Sequence, residues 1–179
     1  NLKFKIIKMN YISKLKNSIK FDLNYLRSKT SLFFFNLLPD IYTMKEFSNL
    51  FIYLSGCKIK IRSSYIRKKI HIDSPKNVSI GENFFCNKGL FIEGNGKVII
   101  GNNVQIGPNN QILTTNHTQR KDSELKDVVI GNNVWIGAGV IITPGVNVCD
   151  NASIAAGSVL GSDINEEGLW LGVPARKKQ

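Results

Sequence analysis

The sequence predicts an all-β solenoid, a parallel β-helix with an N-terminal helical cap, and three features carry that expectation. From Ile130 onward an aliphatic residue falls on every sixth position: Ile130, Ile136, Ile142, Val148, Ile154 and Leu160. The same phase holds upstream at Ile100, Ile106 and Ile112, and the gap from Ile112 to Ile130 is three whole sixes. Between the aliphatics recur Gly-Asn, Asn-Asn, Pro-Gly and Asp-Asn, turn residues that tolerate positive φ. A period of six drifts off any one face of a helix, whereas a short flat strand followed by a tight turn reproduces it. Three such units close one coil, and coils stacked at about 4.8 Å bury a central aliphatic column.

The chain divides into three parts. Residues 1–57 lack the repeat and read as a basic helical cap on the open end of the solenoid. Lys14 to Arg27 predicts an amphipathic helix with Ile12, Leu15, Ile19, Leu23 and Leu26 on one side. Met44 to Leu54 predicts a second helix after the break at Leu38-Pro39. Residues 58–164 form the repeat, interrupted by a polar loop over 118–127, and residues 165–179 form a C-terminal tail. Met9 is a candidate start, so residues 1–8 read as an extension.

Charge is concentrated in the first part. Residues 1–72 hold fifteen Lys or Arg against three acids, a net of +12, and the remainder nets −1, which gives the total of +11. Such a surface suits peripheral contact with a membrane or with a lipid-linked glycan. No helix-turn-helix, zinc-finger spacing or aromatic RNA platform accompanies it, which argues against nucleic acid. The apolar block Leu32 to Leu38 is too short to cross a bilayer. Cys57, Cys86 and Cys149 are odd in number and widely spaced, which fits a reducing cytoplasm.

The repeat is interrupted in phase, and the interruption contains His117, one of two histidines. At the end of a strand unit, next to a polar loop, an imidazole suits a general base for a hydroxyl group; the bland reading is a satisfied turn histidine. Metal catalysis is disfavoured, because His71 and His117 lie forty-six residues apart with no carboxylate or Cys cluster beside them. No Walker loop, GxSxG elbow or dinucleotide fingerprint is present.

The repeat, the pair Asn116-His117, the segment from Ile130 through Trp135 to Val146 and the ending Gly172-Val-Pro-Ala-Arg176 resemble the hexapeptide-repeat acyltransferases. The likeness covers about residues 58–176. It lies with the maltose and galactoside acetyltransferases and their cell-surface polysaccharide O-acetyltransferase relatives, the latter also in Leu38-Pro39 and Tyr65-Ile66-Arg67. The resemblance implies a left-handed coil, a homotrimer with active sites between subunits, acetyl-CoA as donor, no metal, and a carbohydrate acceptor.

It also implies roles for particular residues. His117 is the expected general base, and Asn87 the asparagine that helps hold the acceptor. Asp73, Phe85 and Asn116 are expected in the acceptor pocket, and Trp135 beside the reacting centre, touching both acceptor and cofactor. Gly137, Ala138, Ala156, Gly161 and Ser162 are expected along the pantetheine channel, and Arg176 at the cofactor's phosphate end. Many relatives carry Thr-Lys where this chain has Gly161-Ser162, and the loop after His117 is shorter than in the free-sugar enzymes.

The expected chemistry is direct acetyl transfer to a sugar hydroxyl in cell-surface polysaccharide synthesis, in the cytoplasm or at the inner face of its membrane. No protein nucleophile is needed, since none of the cysteines has a neighbouring base. The alternatives are a serine or xenobiotic O-acetyltransferase on the same fold and, from another class, a non-catalytic β-helix scaffold or binding module.

Overall fold

The computed structural model describes residues 2–117 and 123–179, with side chains from residue 13 onward. Its body is a left-handed parallel β-helix of five coils with three faces. The first face stacks Lys58–Ile59, Val78–Ile80, Val98–Ile100, Val128–Ile130 and Asn147–Val148. The second stacks Tyr65–Ile66, Phe85–Cys86, Gln105–Ile106, Trp135–Ile136 and Ala152–Ile154, and the third His71–Ile72, Phe91–Ile92, Gln111–Ile112, Ile141–Ile142 and Val159–Leu160. The first corner joins the first face to the second, the second corner joins the second face to the third, and the third corner returns to the first face.

The last residue of each strand points inward, which is why the aliphatics recur. Ile106, Ile112, Ile130, Ile136, Ile142, Ile154 and Leu160 are all at most 2% exposed, and Cys86 shares their column. Each such burial contributes about 1.5–3 kcal/mol, so the column is the main source of stability.

The six-residue phase breaks upstream of Ile100. Gln105 pairs with Trp135 thirty residues on and Trp135 with Ser153 eighteen on, but Tyr65 pairs with Phe85 and Phe85 with Gln105 at twenty. From Ile66 onward the inward residues step by six within every coil, and all extra chain falls at the third corner. That corner takes eight residues from Ile72 to Ile80 and from Ile92 to Ile100, then eighteen from Ile112 to Ile130.

The interruption contains strand rather than a plain loop over 118–127. Thr115–His117 pairs antiparallel with Ser123–Leu125, His117 opposite Ser123, so a hairpin stands on the third corner. Residues 118–122, the first half of that expected loop, lie outside the described residues.

The first corner is held by an asparagine ladder. Asn83, Asn103, Asn133 and Asn151 all take positive φ, between 53° and 61°. Their amides join from coil to coil at 3.0, 2.9 and 3.1 Å. Asparagine tolerates this left-handed backbone better than other residues with a Cβ, which explains the Asn-Asn dipeptides.

The N-terminal part differs from expectation in extent and in packing. One helix, α1, runs over Leu2–Leu37 and stops before Leu38-Pro39, where the proline disfavours a helical residue ahead of it. A single helical turn, Tyr42–Met44, leads into α2, Lys45–Leu54. The apolar side read from Leu15, Ile19, Leu23 and Leu26 does not meet the coil; all four are exposed, and the Ile12 side chain lies outside the described residues. The contact is made further along by Ser28, Ser31, Leu32 and Phe35, with Ile52 of α2. Asn36 exchanges a reciprocal pair with Ile70, its Nδ2 donating to the carbonyl at 3.0 Å and its Oδ1 accepting from N–H at 3.2 Å. Asn49 Nδ2 donates to the carbonyls of Ile61 and Ser64 at 3.0 and 2.7 Å. Side-chain amides thus satisfy backbone groups that the first coil's missing neighbour would have met.

Candidate active site

The side chain of His117 is exposed on the third-corner hairpin, its Nδ1 3.2 Å from Ser123 Oγ. The hairpin is rooted on Glu93 of the coil below. Glu93 Oε2 accepts from the backbone N–H groups of Thr114 and Thr115 at 2.7 and 2.8 Å, and from Thr114 Oγ1 at 3.4 Å. Partial burial pushes the Glu93 carboxyl up, but the hydrogen bonds from Thr115 and Thr114 outweigh it and hold it below the ordinary carboxylate range. Neither Glu93 nor Ser123 stands out in the repeat, although Glu93 is an acid placed directly after an inward aliphatic.

Asp73 occupies the third corner of the first coil. Its Oδ1 accepts from Lys29 Nζ at 3.2 Å and lies 2.9 Å from His71 Nε2. Partial burial acts to raise its carboxyl, but the His71 and Lys29 hydrogen bonds and charges hold it below the usual range. With Phe21, Asn24, Tyr25, Arg27 and Lys76 it lines a cleft of about 190 Å³ between α1 and the coil. Asn116 is exposed beside His117, and Gly161 and Ser162 are exposed at the third corner of the last coil.

A second group collects at the second corner. Asn87 Oδ1 accepts from the Lys88 N–H at 2.8 Å and lies 3.5 Å from Arg67 Nη1. Its Nδ2 has no partner among the described residues, so the amide is left as a donor. Above it in the same column stand Gly107 and Gly137, each donating its N–H to the coil above, Gly137 to the Ile154 carbonyl at 2.8 Å. A Cβ built on Gly137 would come within 2.5 Å of Ala156 N, so glycine is required here by the neighbouring coil.

The upper part of this corner is smooth. Pro108, Ala138 and Ala156 hold equivalent turn positions, the Gly139 and Gly157 N–H groups donate to the Pro108 and Ala138 carbonyls at 2.8 Å, and a Cβ on either of those glycines would meet nothing within 4 Å. The Ala138 N–H has no acceptor among the described residues, whereas that of Gly137 is used. Asn110, not singled out in the sequence, locks the turn: its buried Nδ2 donates to the Gly107 and Gly137 carbonyls at 2.7 and 3.0 Å, and its Oδ1 accepts from the Val140 N–H at 2.7 Å.

Phe85 and Trp135 lie on the outer side of the second face, separated in register by Gln105. Phe85 packs on Tyr65 with ring centroids 5.9 Å apart, and Trp135 is 49% exposed. Arg176 belongs to the terminal hairpin of Gly168–Gly172 and Ala175–Lys177, which extends the second face past the last coil; its guanidinium is exposed. Burial pushes the Cys57 and Cys86 thiols up to about 12, which removes them as nucleophiles. Among the described residues no group of three His, Cys, Asp or Glu side chains could hold a metal ion.

One chain therefore divides the expected residues over two edges. Asp73, Asn116, His117, Gly161 and Ser162 lie along the third corner; Asn87, Gly137, Ala138 and Ala156 lie along the second, with Phe85 and Trp135 on the adjoining face. The third face separates the two edges by one strand unit, up to about 20 Å of extended chain.

Residues 127–162 match the family described as bacterial transferase hexapeptide (six repeats). The chain is 38% identical over 120 residues to the galactoside O-acetyltransferase of Escherichia coli strain K12; the match covers 64% of this chain and 59% of that protein's length. The crystal structure of a maltose O-acetyltransferase from Clostridium difficile 630 superposes with a TM-score of 0.78 at 32% identity, covering 86% of this chain and 83% of that one. A galactoside acetyltransferase in complex with coenzyme A superposes with a TM-score of 0.75 at 30% identity, covering 88% and 80%. Repeat, coil and likeness agree, and the chain belongs to the hexapeptide-repeat acyltransferase family.

Proposed function

We propose that this chain is an acetyl-CoA-dependent O-acetyltransferase that modifies a sugar hydroxyl, working as a homotrimer in the cytoplasm on a precursor of cell-surface polysaccharide. The observation that carries the reading is the division of the site. An edge with His117 and an edge with Asn87 and the smooth Ala138 strip are complementary halves, which a cyclic trimer brings together by setting the third corner of one copy against the second corner of the next. The likeness to a galactoside acetyltransferase bound to coenzyme A supports the donor, and the smooth strip suits a narrow pantetheine arm.

Acetyl-CoA supplies an activated acyl group, and the chain's residues manage the proton and the charge. Nδ1 lies 3.2 Å from Ser123 Oγ; in the tautomer whose Nδ1–H donates to that hydroxyl, the His117 Nε2 keeps its lone pair and takes the proton of the acceptor hydroxyl as that oxygen attacks the thioester carbonyl. The C–S bond then breaks, and the same proton returns from His117 to the departing thiolate. Asn87 Nδ2 donates to the acceptor oxygen and orients it. The unused Ala138 N–H is the donor for the carbonyl oxygen as it gains negative charge. Trp135 and Phe85 offer flat apolar surface to the sugar ring, Asp73 and Asn116 offer hydroxyl acceptors, and Arg176 meets the phosphate end of the donor.

The test is thiol release from acetyl-CoA with a panel of free, lipid-linked and polymeric glycans, with serine and aminoglycoside-type acceptors as controls. Acetylation of a glycan by the intact chain is the expected result. Absence of coenzyme A binding and of thiol release with every acceptor would leave the chain a scaffold and end the proposal.

A further inference from the structure

We infer that α1 is a membrane-surface helix, and that its outer face docks on a bilayer containing anionic lipid. Leu15, Ile19, Leu23, Leu26, Phe33 and Leu37 are each 49–67% exposed. Their spacings of four, four, three, seven and four put them on one continuous stripe of the helix. The stripe lies roughly opposite Ser28, Leu32 and Phe35, which seat the helix on the coil, so it points away from the body. Along one flank run Lys16, Lys20 and Arg27, spaced by four and seven, and none of them forms an ion pair among the described residues.

Charge decides what covers the stripe. Residues 1–37 carry eight Lys or Arg and a single acid, Asp22. Two copies of such a helix laid side by side would set like charges together, whereas an anionic lipid surface meets the stripe with acyl chains and the basic row with headgroups. Among the described residues no helix is long and apolar enough to cross a membrane, so the helix would lie in the interface rather than span it. This inference does not depend on acetyl transfer.

The full chain is sedimented with vesicles of phosphatidylcholine alone and of phosphatidylcholine mixed with phosphatidylglycerol. Binding to the mixed vesicles should be at least about tenfold tighter and should fall as salt rises. Leu23→Asp with Leu26→Asp, and separately Lys16→Glu with Lys20→Glu, should each weaken it about tenfold or more. Oligomeric state and thermal unfolding should be unchanged, because all four side chains are exposed. Sedimentation that ignores lipid charge, or that survives both pairs of substitutions, overturns the inference. So does a change of oligomeric state in the leucine variant, which would assign the stripe to contact between copies.

Discussion

The Ser123 hydroxyl lies 3.2 Å from His117 Nδ1 across the third-corner hairpin, directly opposite it in register. This contact holds the imidazole in place, and in the tautomer whose Nδ1–H donates to the hydroxyl it leaves Nε2 as the acceptor. Ser123→Ala should lower kcat by about tenfold to a hundredfold, less than the roughly 10²- to 10⁴-fold contribution of a general base itself, with little change in coenzyme A affinity. Steady-state kinetics with a responsive acceptor would check it; an unaltered kcat would show that the hydroxyl does not position the imidazole.

Replacing the imidazole itself should do more. His117→Ala should reduce turnover by about 10²- to 10⁴-fold while coenzyme A binding, followed by calorimetry, stays near that of the parent. Near-normal turnover would remove His117 from the mechanism.

The two-edge division makes a stronger demand. His117→Ala and Asn87→Ala, each inactive alone, should regain activity when unfolded together and reassembled. Random cyclic trimers then hold about a quarter of their sites with both groups intact, one from each neighbour. If mixing restores nothing while each variant still assembles, the two residues do not share a site across subunits.

Glu93 ties the hairpin to the coil and gives a pH signature. Its carboxyl is held below the ordinary range in the folded chain, so it contributes stability that is present above its unfolded value and lost as pH falls through the folded one. Thermal unfolding followed from neutral pH downward should therefore lose stability below about pH 4.5, the ordinary glutamate value. Glu93→Gln should flatten part of that acid-side slope and lower turnover by loosening the root of the hairpin.

Asn110 should be among the costliest single polar residues to lose. Asn110→Leu leaves the Val140 N–H without its acceptor, and the Gly107 and Gly137 carbonyls without a donor, inside a closed turn. About 2–4 kcal/mol of destabilisation is expected from the unmet groups, read as a drop in denaturation midpoint.

How much of the molecule is legible in the sequence depends on what the six-residue period encodes. It reports the inward aliphatics, because each must fill the same column, and so it yields the coil from Ile100 onward with His117 at its interruption. It is silent on the first two coils, where two additional residues at the third corner shift the phase while leaving Ile66, Ile72, Cys86 and Ile92 inward. It is equally silent on Asn110, whose role comes from contacts with a coil thirty residues away. The apolar side of α1 is legible as a pattern but not its neighbour, since periodicity identifies a face without saying what meets it; the coil, expected there, is met by Leu32 and Phe35 instead. The separation of Asn87 from His117 onto two edges is within reach of counting, one residue past Cys86 against five past Ile112, once three strands per coil are assumed.

Because from Ile66 onward the chain takes up its surplus length at the third corner, the other two keep a regular stack of backbone bonds from coil to coil. Insertions there act as an exchangeable module: the hairpin can lengthen, shorten or change its residues without transmitting strain to the edge of Gly137, Ala138 and Ala156. A hairpin grafted from a relative should therefore redirect acceptor choice while donor use is inherited intact, making this coil a frame on which selectivity and group activation can diverge separately.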